Sequence, residues 1–143
     1  MVNTQFIAII GCGRLGANLA DRLSRQGQSI VVVDHSELAL RSLSPEFGGF
    51  QIMGDAAELS VLKRAGLQKA DAVFAVTGED TLNLMVAQVA RSVFQVDSVL
   101  ARVFAPSREV IYQAFNIPTV SPTSLAADYC IDQLDDRNSQ LTL

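Results

Sequence analysis

The sequence predicts an α/β chain, a doubly wound parallel sheet of six strands with helices on both faces and one further helix at the end. Three observations carry this. Short apolar, β-branched runs alternate with helical segments from one end of the chain to the other, the pattern of βαβ units. Between the first run and the first helix lies Gly11-Cys12-Gly13-Arg14-Leu15-Gly16, a glycine-rich turn in the strand–turn–helix context that gives such a motif its meaning. The second run ends in Asp34, 18 positions beyond Gly16, where a dinucleotide-binding unit places its ribose-binding carboxylate. The spatial order expected of such a Rossmann sheet is 3-2-1-4-5-6, with a ligand crevice between strands one and four.

Taken in order, the first strand is expected at 5–10, where Phe6-Ile7-Ala8-Ile9-Ile10 reads as a strand buried on both faces. A helix at 14–26 follows, with Leu15, Leu19 and Leu23 at helical spacing. Strands at 29–34, 50–53, 72–76, 99–103 and 119–120 alternate with helices near 36–43, 57–65, 81–92 and 107–115. Asp55 with Glu58, and Thr77 with Asp80, have the spacing of capping boxes. Pro106 and Pro118 mark boundaries before them. Ser121-Pro122 reads as a cap followed by proline in the first helical position. The last helix runs from 122 to about 135, with Leu125, Ala126, Tyr129, Cys130 and Leu134 along one stripe. That stripe either docks on its own sheet or covers a second copy of the chain. Residues 1–135 are read as one nucleotide-binding domain and 136–143 as a polar tail.

Composition narrows the function. With 143 residues, 49% apolar and 18% charged, the chain is a single globular domain. A net charge of −4 with no Lys/Arg cluster argues against a nucleic-acid partner. No apolar run approaches the roughly 20 residues of a membrane span. Met1-Val2-Asn3-Thr4-Gln5 lacks a basic and apolar export signal. Cys12 and Cys130 suggest neither a disulfide framework nor a metal site and fit a reduced, cytosolic protein. His35 is the single histidine, which leaves no histidine-based metal cluster.

In the motif itself, Gly11 allows the tight turn, Gly13 lets backbone approach phosphates, and Gly16 lets the helix pack closely on the strand. Cys12 contributes backbone more than sulfur. Arg14 is either a phosphate partner or a solvated first-turn arginine, and a cation at a helix N-terminus favours a nearby anion. Asp34 would bind the adenosine ribose and repel a 2′-phosphate, which disfavours NADP. His35 is an adenine contact or a solvated loop residue. Asp55 accepts from the adenine amino group, caps its helix, or both, with Ala56 beside it. Thr77 and Gly78 face the glycine turn across the crevice. Arg102 reaches a distal phosphate or nicotinamide-side group, or makes a surface ion pair. No second domain, no Tyr-x-x-x-Lys pair and no triphosphate-cradling loop with Gly-Lys-Ser/Thr appears. The chain is read as binding a nucleotide and reporting it, with no catalytic residues.

At these residues the chain resembles the N-terminal nucleotide-binding domain of the RCK/KTN (TrkA-N) family, regulators of potassium channels and transporters. The matching pieces are the glycine turn with its arginine, Val33-Asp34, Gly54-Asp55-Ala56, Asp71-Ala72-Val73, and the run from Val76-Thr77-Gly78-Glu79-Asp80 through Thr81-Leu82-Asn83. Arg102-Val103, Pro118 and Ser121-Pro122 complete them, from residue 6 to residue 134. The resemblance implies binding of NAD(H) or ATP/ADP by Gly11, Cys12, Gly13, Arg14, Leu15 and Gly16 with Asp34 and His35. Asp55, Ala56, Thr77, Gly78 and Arg102 would line the rest of the pocket. It also implies a membrane potassium transporter or channel partner, a cytoplasmic location at the inner face of the membrane through that partner, and homodimers, stacked in many members into octameric rings. The helix over 122–134 would then be a crossover to the neighbouring subunit. Two departures stand out. Many members continue into a smaller C-terminal ligand-binding domain, so this sequence is expected to be a single-domain member or a fragment. Thr123 stands where some ATP-responsive members carry a glutamate, which counts against a glutamate-dependent response to ATP. The competing readings are the cofactor lobe of an NAD-dependent oxidoreductase and a stand-alone NAD(H) redox sensor.

Overall fold

A computed structural model describes residues 3–141. Met1 and Val2 of the N-terminal segment, and Thr142 and Leu143 of the expected polar tail, lie outside the described residues. Six strands, β1 (Phe6–Ile10), β2 (Ser29–Asp34), β3 (Phe50–Met53), β4 (Ala72–Ala75), β5 (Ser98–Arg102) and β6 (Thr119–Val120), alternate with six helices. These are α1 (Arg14–Arg25), α2 (Glu37–Leu40), α3 (Leu59–Arg64), α4 (Asp80–Ser92), α5 (Glu109–Ala114) and α6 (Pro122–Leu141). The sheet order is β3-β2-β1-β4-β5-β6, as expected, and every neighbouring pair is parallel. The chain steps outward from β1 to β3 and then returns past β1 to β4. Loops leaving β1 and β4 therefore diverge and open a crevice at their carboxyl ends.

Alternation along the strands builds two cores. Ala8, Ile10, Val31, Val33 and Val73 face one side with Val61 and Leu62 of α3 and Val86, Ala87 and Ala90 of α4. Ile7, Ile9, Ile30 and Val32 face the other, against Ala20 of α1 and Leu40 of α2. Ile9, Ile10 and Val32 are fully buried, each contributing about 1.5–3 kcal/mol over exposure.

Local chemistry shifts several boundaries. The helix expected over 36–43 is the single turn α2, capped by Ser36 Oγ accepting from the Ala39 amide at 3.2 Å. The capping box at Asp55 does not form. Its Oδ1 accepts from the Ala57 amide at 2.8 Å and closes an Asx turn, so α3 begins later, at Leu59, with no side-chain cap. The Thr77/Asp80 box does not form either, because both side chains are held by tertiary partners described below. A 3-10 turn, Leu67–Lys69, follows Gly66 and precedes β4, and another, Pro106–Arg108, takes the first part of the helix expected over 107–115. Ser121 caps α6 as expected, its Oγ accepting from the Ser124 amide at 3.3 Å.

That last helix departs most from expectation. It runs to Leu141 because neither glycine nor proline follows Pro122 to stop it, so residues 136–141 continue the helix instead of forming a tail. Residues 123–137 are all exposed. The stripe of Leu125, Tyr129 and Leu134 thus does not dock on its own sheet.

Glycine usage at the start of α1 makes a sharp test. A Cβ on Gly16 would lie 1.8 Å from the Gly11 carbonyl oxygen, whereas one on Gly13 would meet nothing within 4 Å. Gly16→Ala is expected to destabilise the chain by about 3 kcal/mol or more, and Gly13→Ala, at the helix N-cap, by no more than about 1 kcal/mol. Urea unfolding of both variants decides this, and equal losses would contradict the packing described.

Candidate functional site

The crevice at the switch between β1 and β4 is a cavity of about 860 Å³. It is lined by Gly11 and Gly13 from the first turn, Asp34 and His35 at the end of β2, Asp55 and Ala56 after β3, Thr77 and Gly78 after β4, and Arg102 at the end of β5. Four other candidates are not on its wall. Arg14 is exposed in the first turn of α1, without an ion-pair partner among the described residues. Leu15 packs into the core beneath the helix, and Gly16 is buried against the Gly11 carbonyl. Cys12 is buried, its thiol donating to the Ala39 carbonyl at 3.3 Å.

The four glycines expected at the site, Gly11, Gly13, Gly16 and Gly78, divide into two kinds. Gly11 has φ +110°, and a Cβ there would sit 2.8 Å from the Thr77 nitrogen, so the β1 turn is pressed against the β4 turn. Gly16 is equally confined. By contrast, Gly13 and Gly78 line the cavity, and a Cβ on either would meet nothing within 4 Å. Those two positions leave open space where the turns face the crevice.

Asp34 does more than the spacing suggested. Its Oδ2 accepts from the Cys12 amide and its Oδ1 from the Ser36 amide, each at 2.8 Å, which ties the glycine turn to the β2–α2 loop. A carboxylate has about four acceptor sites, so two remain for a ligand hydroxyl. Losing it would leave two backbone amides without partners at about 1–3 kcal/mol each if buried. His35 is largely solvated, with 85% of its side chain exposed and Nδ1 3.6 Å from Asp34 Oδ1.

On the opposite wall, Arg102 makes no ion pair among the described residues. Its guanidinium stacks over the Phe104 ring at 4.0 Å, and its Nε is buried with no hydrogen-bond partner. An unpaired buried N–H on a cation beside an open cavity is a ready partner for an anion. Behind this wall lie two buried polar residues that capping logic misassigned or overlooked, Asp80 and Asn83, respectively 6% and 0% exposed. Asp80 accepts from the amides of Phe104 at 2.8 Å and Ala105 at 3.1 Å, with Arg108 Nη1 3.9 Å away. The Tyr112 hydroxyl donates to the Asp80 carbonyl. The signal was present in Asp80 and Asn83 at i, i+3 on one helix face. Ser36, Ala39, Gly54, Glu79 and Leu82 also line the crevice without having been singled out for it.

A profile of the TrkA-N domain family matches residues 7–122. The chain is 38% identical over 128 residues to the Trk system potassium uptake protein TrkA of Streptomyces coelicolor, covering 90% of this chain and 57% of that protein. It thus spans little more than half the length of that relative. Among solved structures, the GsuK RCK domain superposes with a TM-score of 0.78 at 25% identity, over 95% of this chain and 29% of that one. The GsuK channel bound to NAD superposes with a TM-score of 0.68 at 21% identity, over 84% and 22% of the two chains. The ADP-bound form gives 0.68 at 21%, over 83% and 31%. At that identity these two likenesses concern the fold alone.

Burial also sets two proton affinities around the site. It pushes the Cys12 thiol above its ordinary 9.0, and it pushes the Tyr112 phenol above its ordinary 10.0, with Asp80 adding to the effect. Both groups hold their protons more tightly folded than unfolded. Their stabilising effect is therefore complete below the ordinary values and is lost as pH rises toward the folded ones. The urea midpoint is expected to fall as pH rises above about 9, and Cys12→Ala should flatten the first part of that decline. An unchanged midpoint up to pH ~10.5 would rule out the burial argument.

Proposed function

The chain belongs to the TrkA-N domain family, and from that premise and the crevice we propose that it is a nucleotide-binding regulatory domain of a potassium-uptake or potassium-channel system and not an enzyme. The observation that carries the ligand reading is the pairing of open space at Gly13 and Gly78 with the unpartnered Nε of Arg102. Phosphate oxygens would lie against the amides at the start of α1, where the helix dipole favours negative charge. Arg102 would take an anionic or polar group on the far side. Asp34 would accept from ribose hydroxyls with the lone pairs its two amides leave free, which selects NAD(H), ATP or ADP over NADP. The NAD- and ADP-bound forms of a channel with the same fold support this class of ligand.

Regulation would work through a membrane potassium transporter or channel subunit, as the name of the Streptomyces relative suggests, with this domain cytoplasmic and held at the membrane's inner face by that partner. Among the described residues no helix is long and apolar enough to cross a membrane. A bound nucleotide biases such a partner only if two arrangements of the domain bind it with different affinity. A second copy of the chain supplies the arrangement: α6 exposes Leu125, Tyr129, Ile131 and Leu134, each more than half exposed, and these would be covered in a dimer.

Two experiments test the proposal. Calorimetric titration with NAD, NADH, ATP, ADP and NADP is expected to show binding of at least one of the first four and at least about tenfold weaker binding of NADP. Gly13→Asp should abolish binding while leaving thermal stability intact, since aspartate is a favoured N-cap but sets a carboxylate where phosphate would lie. Wild-type affinity in that variant would remove the site assignment. Light scattering is expected to show a dimer that becomes a monomer in the Tyr129→Glu/Leu134→Glu variant, and a monomeric parent chain would refute the dimer.

A further inference from the structure

We infer that Asn83 is a positioning residue of this site, a buried side chain that fixes where Thr77 and Arg102 stand without touching the ligand itself. The inference rests on the nucleotide reading above. The β4–β5 ladder ends at the pair Ala75 and Ala101, one or two residues short of the crevice wall. Past that point β4 and β5 no longer pair with each other, although Arg102 still pairs with Val120 of β6, and Asn83 bridges the two strand ends. Its Oδ1 accepts from the Thr77 amide at 2.8 Å and from the Thr77 hydroxyl at 2.6 Å. Its Nδ2 donates to the Thr77 carbonyl at 3.0 Å and to the Arg102 carbonyl at 3.1 Å.

All four hydrogen-bonding positions of the amide are thus used, and the side chain is fully buried and absent from the cavity wall. Aspartate would turn an acceptor toward two carbonyls, and leucine would leave the Thr77 amide and both carbonyls unpaired. Asn83 pins Arg102 by its carbonyl, and Asp80, one turn earlier on α4, pins the following loop by the amides of Phe104 and Ala105. Phe104 in turn carries the guanidinium on its ring. The start of α4 therefore fixes the backbone at the Arg102 carbonyl and in the loop that follows it. A cation held this way is pre-organised for an anion, so less ordering remains to be done on binding.

A double-mutant cycle in ADP affinity, measured by calorimetry on the full chain, tests this. Arg102→Ala and Asn83→Ser are each expected to weaken binding about tenfold. Because Asn83 acts through Arg102, the double variant should bind no more than about threefold more weakly than Arg102→Ala alone. A purely structural role predicts additive losses near a hundredfold, and that result, or undiminished affinity in Asn83→Ser, overturns the inference. If Asn83→Ser does not unfold cooperatively in urea, Thr77→Val, which removes the hydroxyl's bond to Asn83 Oδ1 together with its bonds to the Glu79 amide and carbonyl, enters the same cycle with the same criterion. A parent chain that binds no nucleotide at all overturns the ligand reading and this inference together, whereas additive losses in a binding chain overturn this inference only.

Discussion

The seat of α1 on the turn that follows β1 is the contact on which the rest of the site depends. The helix approaches so closely that a methyl group at Gly16 would coincide with the Gly11 carbonyl. Gly11, in turn, lies against the backbone of Val76 and Thr77 at distances that no Cβ tolerates. The two contacts form a stack from helix to first turn to fourth-strand turn. Because this stack closes the base of the crevice, the glycines above it, Gly13 and Gly78, are left facing space. A single sequence motif thus contains two opposite physical demands: positions where a side chain cannot fit, and positions where one would fit but fill the cavity.

The two walls above that base are held by different chemistry. On the β2 side a charged group does the work, with Asp34 accepting from amides on two loops. Hydrogen bonds to an ionised acceptor are the stronger kind, and this one retains acceptor capacity toward the crevice. On the β5 side a neutral, saturated amide and a buried carboxylate tie the backbone from behind, and the chemistry offered to the cavity is a guanidinium whose Nε has no hydrogen-bond partner among the described residues. One wall offers acceptors and the other a donor. A ligand with hydroxyls at one end and negative charge toward the middle and the other end matches that polarity.

Much of this was legible in the sequence, and the boundary is physical. Strand order followed from the alternation of apolar runs with helices, because parallel strands buried on both faces leave little freedom in how βαβ units connect. The glycine turn and Asp34 were legible because their spacing is set by local backbone geometry. What was not legible depended on competing partners, local for Asp55 and distant in sequence for Asp80. Thr77 and Asp80 have the spacing of a capping box, but the first bonds Asn83 and the second the amides of Phe104 and Ala105, 24 and 25 residues away. Asp55 has a cap's spacing but closes a turn with Ala57. Local spacing cannot tell a cap from a tether when a tertiary donor competes. The fate of the α6 stripe was open for the same reason, since amphipathicity states that a face needs cover but not what covers it.

That exposed helix bears on how an occupied crevice could be felt elsewhere. One polar contact that joins the C-terminal elements to the body, the Tyr112 hydroxyl on the Asp80 carbonyl, lies on the same turn of α4 that sets the Arg102 wall. A shift of that turn would reach both the cation and α5, which exposes Val110 and Ile111. On the β2 side the Asp34 carboxylate ties the first turn to the loop into α2, and the Asp34 carbonyl accepts from the Gly54 amide at 3.0 Å. The two halves of the crevice are thus unequal. On the proposed reading the acceptor side would select a ribose, and the donor side, where a buried polar bond connects the wall to α5, would transmit whether anything is bound.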